Sequence, residues 1–210
     1  MNISPVRNLQ NYQYIQHFGN ASRIYDGICR SEDLTPYDVY LASKESILNN
    51  IKDYLKRMGI KVKNTNDGLL EVSKLDKLAQ RRNSTYVGIP TDADYILQFV
   101  KTINGSTDFG KIGATTFGMV KTLHGSTFGG DKFDISTSEI SNLGSLRKIE
   151  GSLYINSEQY RNMKFEGLDV TGDIYISKGN PFGKPEFVKL KKADKDAFLN
   201  GFEIIEYLRY

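Results

Sequence analysis

Between Leu97 and Ile176 the chain repeats a short pattern around a glycine, and a repeat limits the fold more than any single motif does. Aligned on that glycine, the first unit reads Leu97-x-x-Val100-x-x-Ile103-x-Gly105-x-Thr107-x-Phe109. The second reads Phe117-x-x-Val120-x-x-Leu123-x-Gly125-x-Thr127-x-Gly129. The third reads Leu143-x-x-Leu146-x-x-Ile149-x-Gly151-x-Leu153-x-Ile155. A degenerate fourth ends in Leu168-Asp-Val170-Thr-Gly172-Asp-Ile174-Tyr-Ile176, with Lys164 and Gly167 where the earlier units are apolar. Polar positions agree as well: Lys101, Lys121 and Arg147 match, as do Ser106, Ser126 and Ser152. The glycines stand 20, 26 and 21 residues apart, the period of a solenoid coil.

Each unit has a physical reading. Gly-x-Leu-x-Ile predicts a strand with its apolar side chains on one face. The three-residue apolar spacing before it (Leu143, Leu146, Ile149) predicts a tight turn or 3₁₀-like segment feeding the same interior. Gly105, Gly125, Gly151 and Gly172 are the expected repeat corners, where glycine allows positive φ or close backbone approach. That accounts for a skewed composition, since 13 of the 19 glycines fall between Gly105 and Gly183. One coil cannot bury its own face, so coils must stack with their strands in a parallel sheet, and the stack needs end caps. In the second unit Gly129 occupies an apolar position, and Phe133-Asp-Ile135 is an alternative strand.

The pattern resembles the leucine-rich-repeat-like coils of receptor L domains and related bacterial repeat proteins. Leu146-Arg-Lys-Ile149-Glu-Gly151-Ser-Leu153-Tyr-Ile155 carries the resemblance best, which extends over about residues 97–176. The asparagine usual in leucine-rich repeats is absent. The resemblance implies a coil geometry and a recognition or scaffolding role, without naming a ligand.

The flanks read as caps. Residues 1–30 are polar and aromatic without a helix or strand period, an irregular arm expected to be held by the body or by a neighbour. Residues 31–90 read as a helix–hairpin cap. Thr35, Pro36 and Asp38 start a helix over 35–58, its stripe runs from Leu41 through Ile47, Ile51 and Leu55, and Gly59 ends it. Ile60–Lys63 and Leu69–Val72 flank Asn64-Thr-Asn-Asp-Gly68 as a hairpin, and a short helix is expected over 73–82. Residues 91–177 hold the repeats and 178–210 a C-terminal α/β cap, with Asn200-Gly201 as a turn. The expected class is α+β: a helix–hairpin cap, a parallel β solenoid of about four coils, and a closing cap.

Composition then narrows the function. With 28 basic and 25 acidic residues the net charge is +3, too small to favour nucleic acid or an anionic membrane. One cysteine (Cys29) and two histidines (His17, His124) leave no disulfide framework and no cysteine- or histidine-based metal site. Neither a signal-like apolar region nor a membrane-length apolar run occurs, so the expected setting is cytoplasmic or particle-associated, and the sequons at Asn20, Asn83 and Asn104 are read as chance. Gly110–Gly118 lacks the Gly-Lys-Ser/Thr ending of a phosphate loop and reads as a coil corner. His124 reads as an exposed turn residue, Cys29 as a small buried apolar group, and the pairs Asp92/Asp94 and Asp131/Asp134 as solvated turn acids. No nucleophile–base pairing stands out, and no cofactor is expected.

Two features remain for binding. Three residues beyond each glycine stand Asp108, Phe128, Tyr154 and Tyr175, expected to line up on the outside of the stacked strands beside Ser106, Ser126, Ser152 and Asp173. The second is a basic cluster of Lys184, Lys189, Lys191, Lys192 and Lys195, read as a solvated face. The expectation is a non-enzymatic structural or interaction protein, a subunit of a larger assembly of other or identical chains. A bacteriophage virion component of head, collar or tail suits a chain rich in Asn, Lys and Tyr. One alternative is a module binding a glycan or peptide through the aromatic ladder. The other is a nucleic-acid binder using Lys52, Lys56, Arg57, Lys61 and Lys63.

Overall fold

The computed structural model describes residues 36–78, 85–86, 89–90, 92–126, 130–178, 185–202 and 204. The N-terminal arm with His17 and Cys29, the capping Thr35, Phe128, and Lys184 lie outside these residues.

Helix α1 (Pro36–Arg57) forms where the apolar spacing requires it. Ile51, Tyr54 and Leu55 are buried, while Lys56 and Arg57 sit in its last turn, where basic groups favour the helix dipole. It ends as the sequence predicts. Gly59 adopts φ +73°, its N–H donates to Lys56 O, and Ile60 N–H donates to Leu55 O. The chain then makes the antiparallel hairpin β1 (Lys61–Asn64) and β2 (Leu70–Ser73). The expected helix over 73–82 is, within the described residues, a three-residue 3₁₀ turn at Leu75–Lys77, entered through Lys74 in the left-handed region at φ 65°. A two-stranded pair, β3 (Thr85–Tyr86) and β4 (Ile89–Pro90), and the short α2 (Ala93–Leu97) follow.

From here the strands alternate between two sheets. β5 (Val100–Asn104), β7 (Thr122–His124), β9 (Lys148–Glu150) and β11 (Asp169–Val170) join β1 and β2 in a first sheet of order β1-β2-β5-β7-β9-β11. β6 (Thr107–Asp108), β8 (Lys132–Asp134), β10 (Ser152–Asn156), β12 (Ile174–Lys178) and β13 (Glu186–Lys189) form a second, of order β13-β12-β10-β8-β6. Both are parallel except at β1/β2 and β12/β13. Two further helices complete the described residues, α3 (Ser157–Asn162) and α4 (Lys192–Leu199). Over the described residues the protein is therefore a mixed α/β structure with two mostly parallel sheets and four helices, and neither of these sheets closes into a barrel.

The first sheet sharpens the reading of the repeat. The segment before the glycine makes the expected tight turn, with Leu146 N–H donating to Leu143 O at 2.9 Å and Val120 N–H to Phe117 O at 3.0 Å. It then runs on as a short strand whose residues alternate. Ile149 points inward between the half-exposed Lys148 and Glu150, and Leu123 likewise between Thr122 and His124. His124 accordingly lies in a strand rather than a turn. In the second unit the strand is Lys132–Asp134, so Phe133 supplies the apolar contact that Gly129 cannot. The fourth unit also keeps its interior by a shift of position: Lys164 is exposed, and Met163, Phe165 and Leu168 are buried in its place. α3 enables that shift. Its N-terminus is held by a capping box between Asn156 and Gln159, and the buried Gln159 amide donates to Ile135 O and Ile140 O of the preceding loop.

The corner glycines are required for two different reasons. Gly105 needs its backbone conformation, at φ +83° with open space around it. Gly125 and Gly172 need room, since a Cβ would overlap the Glu150 carbonyl oxygen at one and the Gly151 carbonyl at the other. A Cβ at Gly151 would lie 2.8 Å from both Asp131 O and the Phe133 ring.

Candidate partner-binding face

The outer row of the second sheet follows from its register. Tyr154 pairs with Tyr175, Asp134 with Tyr154, Asp108 with Asp134, and Tyr175 with Lys189. Three of the four expected ladder residues, Asp108, Tyr154 and Tyr175, thus stand in one line. Asp134 holds the place assigned to Phe128, which is outside the described residues. The line runs from acid through paired aromatics to base.

Adjacent parallel strands bring the tyrosine rings face to face, with centroids 4.5 Å apart and planes within 8°. β13 returns antiparallel and sets Phe187 edge-on to Tyr154 at 5.0 Å. Lys132 Nζ lies 4.2 Å from the Tyr154 ring centroid and 5.2 Å from that of Phe187, while also pairing with Asp134 Oδ2 at 3.0 Å. Both faces of Tyr154 are therefore covered, one by Tyr175 and one by an ammonium, and the half-exposed patch presents ring edges. Burial, and then the neighbouring Tyr175, pushes the Tyr154 phenol above its ordinary pKa. Lys189 is held above its ordinary pKa by its hydrogen bond to Asp173, 2.7 Å away. No local pattern marks Lys132 as a partner of Tyr154. Phe187 was visible only as part of the alternating Glu186-Phe-Val-Lys189.

The remaining acids accept from protein donors. Asp92 is exposed and Asp94 and Asp131 are half-exposed, while Asp134 is buried, which corrects the expectation of a solvated acid there. Asp131 accepts from Ser126 N–H, from Ser106 N–H at 3.1 Å and from the Ser106 hydroxyl at 3.0 Å, and the Ser126 bond above all holds its carboxyl below the ordinary range. Ser106 and Ser126 thus converge on this carboxylate, while Ser152 Oγ accepts from Asp173 N–H. Asp134 Oδ1 accepts from both Ser136 groups at 2.9 and 2.6 Å. Asp92 caps α2 through Tyr95 N–H. Asp94 accepts from Thr115 and Thr116, which fastens the glycine-rich 110–118 segment to α2. Asp108 accepts from Lys111 N–H.

The first sheet wears a different exterior. Ser73, Asn104, His124 and Glu150 share one outer row. Asn104 donates to Glu71 at 2.8 Å, and Glu150 is contacted by His124 and by Lys148 at 2.5 Å. Lys148 chiefly, then His124, holds the Glu150 carboxyl below its ordinary pKa. The basic residues do not gather. Lys189 pairs with Asp173, Lys195 bonds backbone carbonyls, Lys52 donates to Asn49, and Lys63 lies 3.8 Å from Glu71. Among the described residues no three His, Cys, Asp or Glu side chains converge as metal ligands do, and no helix is long and apolar enough to cross a membrane.

Compared with protein-family models, with curated proteins and with solved structures, the chain matches none.

Proposed function

We propose that this chain is a non-enzymatic interaction protein, a subunit of a larger assembly, that meets a protein partner through the Tyr154/Tyr175/Phe187 face of its second sheet. We read its frame as a solenoid of four coils turning at Gly105, Gly125, Gly151 and Gly172. The helix–hairpin caps one end, and β13 with α4 caps the other. The registers between β5, β7, β9 and β11, and between β6, β8, β10 and β12, support that reading.

The observation that carries the function is the stacked tyrosine pair with Phe187 and Lys132 on an outer sheet face. Such a patch, preorganised and flanked by paired charges, has the make-up of an interface core with a polar rim. A glycan stacks on an open ring face, and both faces of Tyr154 are covered, which favours a protein partner over a sugar. The acids that acid–base chemistry would draw on serve as acceptors for structural donors instead.

The test is the assembly state and co-purifying partners of the native protein, compared with a Tyr154→Ala/Tyr175→Ala variant. The variant is expected to keep its circular dichroism and lose its partner. Unchanged partners and mass in the folded variant would remove the face from the proposal.

A further inference from the structure

The last strand of a stacked parallel sheet leaves a row of carbonyls with no following strand to donate to them. In the first sheet the step into β11 is bridged by three backbone groups, Asp169 N–H to Arg147 O at 3.0 Å, Thr171 N–H to Ile149 O at 2.9 Å and Gly172 N–H to Gly151 O at 3.0 Å. Val170 pairs with Ile149, and Gly172 is the repeat equivalent of Gly151. The acceptors a further strand would use are therefore Leu168 O, Val170 O and Gly172 O. A single atom fills the last two: Lys195 Nζ of α4 lies 2.5 Å from Val170 O and 2.6 Å from Gly172 O.

The second sheet is closed differently, by a strand. β13 covers β12, and Leu190 N–H donates to Ile174 O at 2.9 Å. At the other edge of that sheet β6 meets a side-chain acceptor, Asp108 N–H donating to Asp76 Oδ1 at 2.8 Å, whereas the β11 edge of the first sheet ends on a side-chain donor. The opposite end of the first sheet is β1, which has no further strand beside it among the described residues and carries the exposed Lys61 and Lys63. The β11 end carries the exposed Asp169.

We propose that Lys195 is an edge lock. It supplies two of the donors of an absent strand and keeps the β11 end of the first sheet closed to strand addition by a second copy of this chain. The strand it excludes is β1 of that copy. Without the lock, two unsatisfied carbonyls beside Asp169 meet an edge bearing two lysines, which complements them in both hydrogen bonding and charge. Such a contact joins unlike ends, so it propagates instead of closing on itself. The inference stands apart from the aromatic face, because it uses neither Tyr154 nor Tyr175.

Sedimentation velocity across a wide concentration range tests it, on the full chain and on Lys195→Met and Lys195→Arg. Lys195→Met should form species larger than wild type that grow with concentration, and Lys195→Arg, which keeps its donors, should match wild type. Adding Lys61→Glu and Lys63→Glu to Lys195→Met should return the mass to the wild-type value; continued growth would overturn the choice of β1. A folded Lys195→Met with wild-type mass at every concentration overturns the lock. So does loss of the fold in both Lys195→Met and Lys195→Gln, which would make the lysine a stabiliser of the fold and not a guard of its edge. Combined with Tyr154→Ala/Tyr175→Ala, Lys195→Met should still form species that grow with concentration, so a failed aromatic face and a failed lock are told apart.

Discussion

The two sheets share one interior and differ in what they show outside. Inward, Ile103, Leu123 and Ile149 of the first sheet and Phe133, Leu153 and Ile174 of the second are all buried to within 1%. Outward, the first carries a polar row in which Asn104 bonds Glu71 and Glu150 takes Lys148 and His124. The second carries stacked tyrosines, a perpendicular phenylalanine and a lysine over a ring. Packing forces the interior of a repeat to recur, while its exterior is free to vary. A difference confined to the exterior therefore points to use rather than to folding.

The strongest way to break that comparison is to remove the shared part. Phe133→Ala deletes a fully buried ring that stands where the second unit lacks its apolar residue, and it should cost about 3–5 kcal/mol in urea unfolding. A cost near that of a surface substitution would mean that the second unit is not packed like its neighbours. Gly125→Ala comes next. Its new methyl group would press on the Glu150 carbonyl, and the expected loss is about 1–3 kcal/mol. Gly105→Ala, strained in φ but unobstructed, should cost less, about 1–2 kcal/mol.

These corners also show where the sequence was readable. Glycine spacing located the strands after Gly105, Gly151 and Gly172, because a two-residue alternation such as Leu153-Tyr-Ile155 has one structural meaning. It did not reveal the first sheet, whose strands of two to five residues are too short to display a period. The fourth unit hid for another reason: α3 lets Met163 and Phe165 replace the expected positions, and an insertion of that kind breaks alignment without breaking packing. The ladder was legible at Tyr154 and Tyr175. Lys132, Asp134 and Phe187 join it through register and through the antiparallel β13, and pairing between strands is not written in any local stretch of sequence.

Asp131 links the two regions at the corner, and its effect should be smaller than that of the glycines. Asp131→Asn removes the charged acceptor of Ser126 and Ser106 and should cost about 1–2 kcal/mol at neutral pH, the lower part of that range because the residue is half-exposed. Its folded pKa is depressed, so its stabilisation is present above the ordinary carboxyl pKa of 3.8 and is lost as pH falls through the lower folded value. The variant and wild type should therefore converge in stability under acid; a gap that persists would place the cost in geometry instead of charge. Tyr175→Ala should cost about 0.5–1.5 kcal/mol for the lost stack, alongside the loss of partner binding.

The smallest effect belongs to the first sheet's exterior, and it decides whether the two faces differ in kind. Glu150 is held by Lys148 and His124 on a solvent-facing row, where ion pairs are worth about 0–1 kcal/mol and are screened by salt. Glu150→Gln should therefore change urea stability by less than any substitution above, and raising the salt concentration should erase the change. Like Asp131, Glu150 has a depressed folded pKa, so whatever it contributes is present above its ordinary value of 4.5 and fades as pH falls through the folded one. The same variant should keep every partner that Tyr154→Ala/Tyr175→Ala loses. Loss of a partner with Glu150→Gln would move the binding surface to the first sheet, and the polar row would then be the functional exterior.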